Sequence, residues 1–205
     1  MWSTRFSTES ESWDGDLAKS SSPDFPLSPS TGARIPRPNS NEHIAYYGKY
    51  IELVPDGDFA AQLGSEMSNT VALLRRTPAD REDFAYAPGK WTVKETVGHM
   101  TDVERVMGLR ALWFARADAA PLPGFDENAW VPSGNFAKRS LADLTAELEA
   151  VRGATLALVR GLDESVLTRR GVANGAEISV RALLYIIAGH ERHHVKILKE
   201  RYLLS

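Results

Sequence analysis

The chain has 205 residues, enough for one core of roughly 150 residues with appendages but too few for two large domains. Its 24 basic and 27 acidic residues leave a net charge of -3, which gives no electrostatic basis for binding nucleic acid or acidic lipid. Without any cysteine it has no disulfide framework, thiolate metal site or cysteine nucleophile, so any thiol chemistry must use a thiol from a substrate or cofactor.

Residues 1–40 are rich in Ser, Thr, Gly and Asp, and Pro23, Pro26, Pro29, Pro36 and Pro38 interrupt any regular element. They read as a low-complexity extension, disordered or docked through Trp2, Phe6, Trp13 and Phe25; residues 41–205 read as the folded domain. Segment 43–53, with Tyr46, Tyr47 and Tyr50, is expected to be a short helix closed by Pro55. Phe59, Leu63, Met67, Thr70 and Leu74 follow helical spacing from a cap at Asp58 and stop before Pro78. Thr92 and Glu95 form a capping box that opens a second long helix reaching about Ala117, and His99 borders its apolar side. Segment 119–137 holds three prolines and two glycines and shows no periodicity. An ordered crossover loop is expected there, with Phe125, Trp130 and Phe136 packed on the domain and the loop covering a pocket.

Ser140 caps the next helix, whose apolar stripe is read as Leu141, Leu144, Leu148, Val151, Thr155 and Leu158, ending at Gly161. Asn174-Gly175 marks a turn in the connection to the last helix. Four long helices with single apolar faces specify an all-α four-helix bundle, with strands only in short pieces. The longest apolar stretch, residues 182–189, is far short of a membrane span, and the N-terminus lacks the basic region and apolar run of a signal peptide. A cytoplasmic protein without a membrane partner is expected.

Segment 179–203 carries the chemistry. Val180, Leu183, Ile187, His190, His194 and Ile197 recur at three- and four-residue steps, so two histidines occupy positions on the core stripe. Imidazoles at i and i+4 project from one face about 6 Å apart and can share a metal ion. The alternative is a pair of hydrogen-bonded core histidines, each needing a polar partner to offset a desolvation cost on the order of a few kcal/mol. A metal site needs a third ligand, and His99 is the leading candidate because its helix must face the last one somewhere in a bundle. His193 sits to one side of the stripe and His43 lies outside the core pattern.

The run His190-Glu191-Arg192-His193-His194 also satisfies the H-E-x-x-H signature of zinc metalloproteases, in which the glutamate is a general base. Only eleven residues follow His194, with no His or Asp among them. Glu200 is the one carboxylate side chain among them, and a protease's second cleft wall is not expected from so short a stretch.

In KWTVKETVGHMTDVERVMGLRAL at 90–112, FDENAW at 125–130 and ISVRALLYIIAGHERHHVKIL at 178–198, the chain resembles the DinB-like superfamily of helical metal proteins. A Trp-Thr-x-x-Glu helix start followed by a histidine, together with a terminal His-x-x-x-His, is specific in combination. The resemblance spans the chain from residue 41 onward. It implies up-down-down-up helix connectivity and a divalent metal, zinc or nickel, on His99, His190 and His194. It further implies activities such as transfer of bacillithiol or mycothiol to electrophiles, or isomerisation using such a thiol.

The leading expectation is therefore a metal-dependent transferase that moves a low-molecular-weight thiol onto a small electrophile, the metal favouring the thiolate. A metal-dependent hydrolase would use the same site. A non-enzymatic metal-binding stress-response protein acting as a homodimer is the alternative from another class. Asp102, Glu104, Arg105, Arg110 and Asp126 are expected near the cavity mouth, with the arginines neutralising carboxylates on a cofactor.

Overall fold

Each long helix begins at a side chain that accepts a hydrogen bond from the amide three residues on, as local sequence requires. A computed structural model describes residues 34–118 and 120–204. The elements are α1 (Ala45–Ile51), α2 (Phe59–Arg75), α3 (Val93–Ala115), α4 (Glu127–Ser133), α5 (Leu141–Arg160), a hairpin of β1 (Arg170–Ala173) and β2 (Ala176–Ser179), and α6 (Val180–Glu200). The capping side chains are Asp58 for α2, Thr92 for α3, Ser140 for α5 and Ser179 for α6.

The disordered or docked extension expected over residues 1–40 lies outside the described residues up to residue 33. Its last part packs on the bundle: Ile35 is buried, and its carbonyl accepts from the Tyr185 hydroxyl at 3.2 Å. Arg37 donates to the Ile51 and Val54 carbonyls at the end of α1, satisfying acceptors that a helix C-terminus leaves free.

The bundle is made by α2, α3, α5 and α6. Lys94 reaches the Ala137 carbonyl and Glu104 pairs with Arg152, so residue numbers rise together along α3 and α5 and the two helices run parallel. Phe59 stacks on Tyr185 and Thr70 bonds Glu191, so α2 and α6 are also parallel. The connectivity is up-down-down-up, and the 25-residue span between α3 and α5 is the crossover that a parallel pair demands.

That crossover is ordered, as expected, but carries a helix in place of the expected loop. Asp126 accepts from the amides of Asn128 and Ala129 and starts α4, a helix of seven residues with Pro132 inside it. Two turns are too short to show a period, and the proline argues against a helix although only one hydrogen bond is lost so near the end. Phe136 is buried and Phe125 is partly so, but Trp130 is 41% exposed, contrary to expectation.

Asn174 and Gly175 both have positive φ and close a two-residue hairpin between β1 and β2, paired antiparallel from Arg170 with Ser179 to Ala173 with Ala176. Leu122 and Asn174 exchange backbone hydrogen bonds with this hairpin and the crossover, Leu122 N–H to the Val172 carbonyl and Asn174 N–H to the Leu122 carbonyl. The hairpin thereby ties the crossover to the start of α6.

Two apolar clusters fill the bundle. One holds Phe59, Leu63, Val103, Met107, Phe114, Val159, Leu183 and Ile187; the other holds Met67, Val71, Val97, Met100, Leu144, Leu148, Leu198 and Tyr202. Between them each helix contributes polar groups: Thr70 from α2, His99 and Glu104 from α3, Arg152 from α5, and His190, Glu191 and His194 from α6, all buried. The buried face of α5 therefore passes through Arg152, which is 1% exposed, and not through Val151.

Candidate metal centre

His99 lies two turns into α3 and His190 and His194 lie on the facing stretch of the antiparallel α6, so the three imidazoles meet across one helix interface. The Nε2 of His190 is 3.1 Å from Nε2 of His99 and 3.1 Å from Nε2 of His194. Their ligand atoms all lie within 4.8 Å of one another, the one such group of histidines and carboxylates among the described residues.

A glycine precedes the first ligand on each helix. At Gly98 a Cβ would collide with the Phe136 ring, and at Gly189 one would collide with the Tyr50 carbonyl. The missing side chains let the crossover approach α3 and let α1 approach α6 right beside the histidines.

Hydrogen bonding alone accounts poorly for this arrangement. A neutral imidazole nitrogen offers either one N–H or one lone pair, and the Nε2 of His190 faces two neighbours at once. Tetrahedral coordination of an ion at about 2.0–2.1 Å from each nitrogen places ligand nitrogens about 3.3 Å apart, close to the two 3.1 Å separations at His190. The donor set fits a divalent ion.

The protonation state fits as well. Burial, with a smaller contribution from His193, pushes His99 down to about 4. Burial and the neighbouring imidazoles hold His190 and His194 well below the ordinary histidine range. All three are neutral at physiological pH, the form in which imidazole binds metal. The Trp91 ring packs on His99 with centroids 4.6 Å apart, and Tyr50 meets His190 edge-on at 5.4 Å.

One face of the cluster opens into a cavity of about 310 Å³ lined by His99, His190, Tyr47, Tyr50, Arg110, Phe125 and Glu127, among others. A second cavity of about 240 Å³, with Trp91, Thr96, Asn128 and Tyr202 in its walls, reaches His194. The crossover helix α4 spans the two, with Glu127 facing the first and Asn128 the second.

The polar residues expected at the cavity mouth are distributed differently. Arg110 does line the cavity. Glu104 is buried and bonded to Arg152 through both carboxylate oxygens, so it braces α3 against α5. Asp102 and Arg105 face α5, where Arg105 pairs with Glu147 at 2.5 Å. Asp126 caps α4. A charge on a sequence stripe does not say which neighbour it meets, and here α5 takes the side that a cavity was expected to occupy.

Glu191 is turned away from the cluster, accepting from Thr70 Oγ1 at 2.6 Å and from Arg152 at 2.7 Å. Held by two neighbouring helices, it is not placed as the base of an H-E-x-x-H protease. His193 is half-buried against Tyr50, and His43 bonds the Ile44 carbonyl outside the cluster.

The residues missed by sequence reasoning are the tyrosines of α1, which form a cavity wall, and Arg152. The Tyr46-Tyr47-x-x-Tyr50 run was visible as a helix face without a role. Arg152 carried a signal: it follows Leu148 by four residues on a core stripe, where a charge requires a buried partner.

The chain is 24% identical over 156 residues to a Geobacillus kaustophilus protein provisionally named a metal-dependent hydrolase, covering 68% of this chain and 88% of that one. Its fold is similar to that of YfiT from Bacillus subtilis, described as a probable metal-dependent hydrolase with an unusual four-helix bundle topology. The TM-score is 0.61 at 20% identity, over 82% of this chain and 94% of that chain. A mycothiol-dependent maleylpyruvate isomerase shares the fold with a TM-score of 0.55 at 15% identity, over 71% of this chain and 61% of that chain. Residues 62–198 match the family model of the DinB superfamily, and the chain belongs to that superfamily.

Proposed function

We propose that the protein is a metal-dependent enzyme acting on a small molecule, with His99, His190 and His194 holding one divalent ion, and that its reaction is transfer of a low-molecular-weight thiol to an electrophilic carbon. The observation that carries this reading is the convergence of three neutral imidazoles in one cluster, two of which, His99 and His190, stand on the wall of a 310 Å³ cavity. A purely structural or storage site is better served by a closed coordination shell packed on all sides. The names of the relatives support metal dependence in the family, and one fold neighbour is a thiol-dependent enzyme.

Bound there, a divalent ion supplies Lewis acidity and favours the deprotonated form of a thiol or water beside it. The chain's own residues do the rest. Tyr47, Tyr50 and Phe125 exclude water and give an apolar wall, and the absence of cysteine leaves the nucleophilic sulfur to the small molecule. Thiol transfer is favoured over hydrolysis because Glu191, the carboxylate nearest in sequence to the cluster, is committed to Arg152 and Thr70.

A hydrolase remains the second reading because Glu127 does face the cavity and could serve as a base to water. Metal-loaded protein assayed with a panel of thiols and electrophiles, and separately with ester and amide substrates, distinguishes the two. Turnover that requires a thiol and disappears in His190→Ala supports transfer; hydrolysis without thiol that is lost in Glu127→Gln overturns it.

A further inference from the structure

Three arginines among the described residues are less than a tenth exposed: Arg110, Arg152 and Arg181. Arg152 is paired with Glu104 and Glu191, and Arg181 with Glu42. Arg110 is 3% exposed and has no carboxylate partner among the described residues. Its guanidinium donates to the Pro123 carbonyl at 2.6 Å and contacts the Met107 sulfur at 3.7 Å, a weak acceptor. Burial lowers its pKa while Tyr47 beside it opposes the fall, and an arginine keeps its charge in any case. A buried cation whose partners are a carbonyl, a thioether and the Tyr47 hydroxyl, none of them charged, is under-compensated.

That cation also faces the cavity of the histidine cluster. His99 and Arg110 are eleven residues apart on α3, three turns or about 16 Å along the axis and within about 20° of the same face. Tyr47 and Phe125 line the same end of the cavity, with the guanidinium carbon 5.8 Å from the Phe125 ring centre. The Pro123 bond fixes the head group, and Asn174 packs so closely on Gly124 that a Cβ there would collide with it. The hairpin thus holds the crossover segment that holds the arginine. Glu127, the carboxylate in this cavity, is not paired with Arg110 and disfavours a second negative charge on its own wall.

We propose that Arg110 is the carboxylate-binding end of the cavity, so that the small molecule handled beside the histidine cluster is an elongated monocarboxylate with an apolar or aromatic middle. The planar guanidinium suits a carboxylate in two parallel hydrogen bonds. The assignment of the reacting end rests on the metal-centre reading above, whereas that of the carboxylate end does not.

The test uses the full chain and matched probe pairs in two arms. In metal-free protein, phenylbutyrate is compared with phenylbutyramide by calorimetry, which reports a carboxylate carried by the electrophile. In cobalt-substituted protein, mercaptohexanoate is compared with mercaptohexanol through the thiolate-to-cobalt absorption band, which reports a carboxylate carried by the thiol. Wild type should prefer the acid in at least one pair by about tenfold or more. Arg110→Gln should bring that ratio to within about twofold with unchanged cobalt content, and Arg110→Lys should keep part of it. Equal binding of acid and neutral partner in both pairs by the wild type overturns the proposal even if the variants fail to fold, as does an acid preference that survives in Arg110→Gln. Acid preference in the metal-free arm with no cobalt band in the other upholds Arg110 and overturns the metal-centre reading alone.

Discussion

Arg152 on α5 donates to Glu191 on α6 at 2.7 Å, and Glu191 is the residue directly after His190. The same guanidinium takes both oxygens of Glu104 and reaches the Leu63 carbonyl, so one buried side chain joins all four bundle helices at the level of the histidine cluster. Removing it by Arg152→Ala leaves two carboxylates buried without their cation and should cost about 3–5 kcal/mol in denaturant unfolding. Replacing the whole group together, as Glu104→Leu, Arg152→Met and Glu191→Leu, should cost far less, because buried ion networks often exchange with apolar residues at little loss. A triple variant as unstable as Arg152→Ala would contradict this account.

Gly189 should not tolerate a side chain. An alanine there meets the Tyr50 carbonyl, so α1 must move off α6 and take Tyr47 and Tyr50 with it. Overpacking of this kind costs about 1–3 kcal/mol. Because α1 forms a wall of the cavity, Gly189→Ala should also weaken small-molecule binding more than metal binding. Comparing metal content with ligand affinity in the same preparation separates the two effects.

Features set by short-range chemistry were legible in the sequence. Asp58, Thr92 and Ser140 each act within three residues, so those helix starts could be read directly. Asn174-Gly175 gave the turn but not the strands, because four-residue strands carry too little alternation to register. The helix α4 was hidden by its length and by Pro132. The Glu104–Arg152–Glu191 group joins residues 48 and 39 apart, and nothing local distinguishes such charges from a solvated face. His190 and His194 were visible as a pair by their spacing. Bringing His99 to them required knowing which face of α3 meets α6, which the family resemblance implied and the antiparallel packing of the two helices accomplishes.

Acid should destabilise the metal-free protein in two overlapping windows. His99 has a folded value of about 4, below the unfolded value of 6.5, so the unfolded chain binds more protons between these limits and stability falls as pH drops through them. The contribution is about 3 kcal/mol, and His190 and His194 act in the same direction. For Glu42, burial raises the carboxyl pKa, but Arg181, the Asn39 amide and Ser179 outweigh it and bring the group from 4.5 down to about 2. Its stabilisation is full above 4.5 and is lost between there and about 2. Unfolding free energies measured with chelator should fall from about pH 6.5 downward, and Glu42→Gln should make the fall shallower below about 4.5 while leaving its onset unchanged.

Loading should reach one divalent ion per chain and depend on all three histidines. His99→Ala, His190→Ala and His194→Ala each remove one donor from a set of three neutral imidazoles, so metal content by elemental analysis should fall to background in each, while His193→Ala and His43→Ala retain it. Because the folded state alone brings α3 and α6 together, the ion should stabilise it by about 2.7 kcal/mol at a free concentration a hundred times its dissociation constant, a gain absent from the three variants. Acid competes for the same nitrogens, and burial holds all three imidazoles below the ordinary histidine range, so affinity should hold from about pH 8 down toward about 4, where His99 takes up a proton, and weaken below that. Retention at low pH with release at high pH would exclude imidazole ligation, and equal metal content in His190→Ala and wild type would remove the cluster as the site.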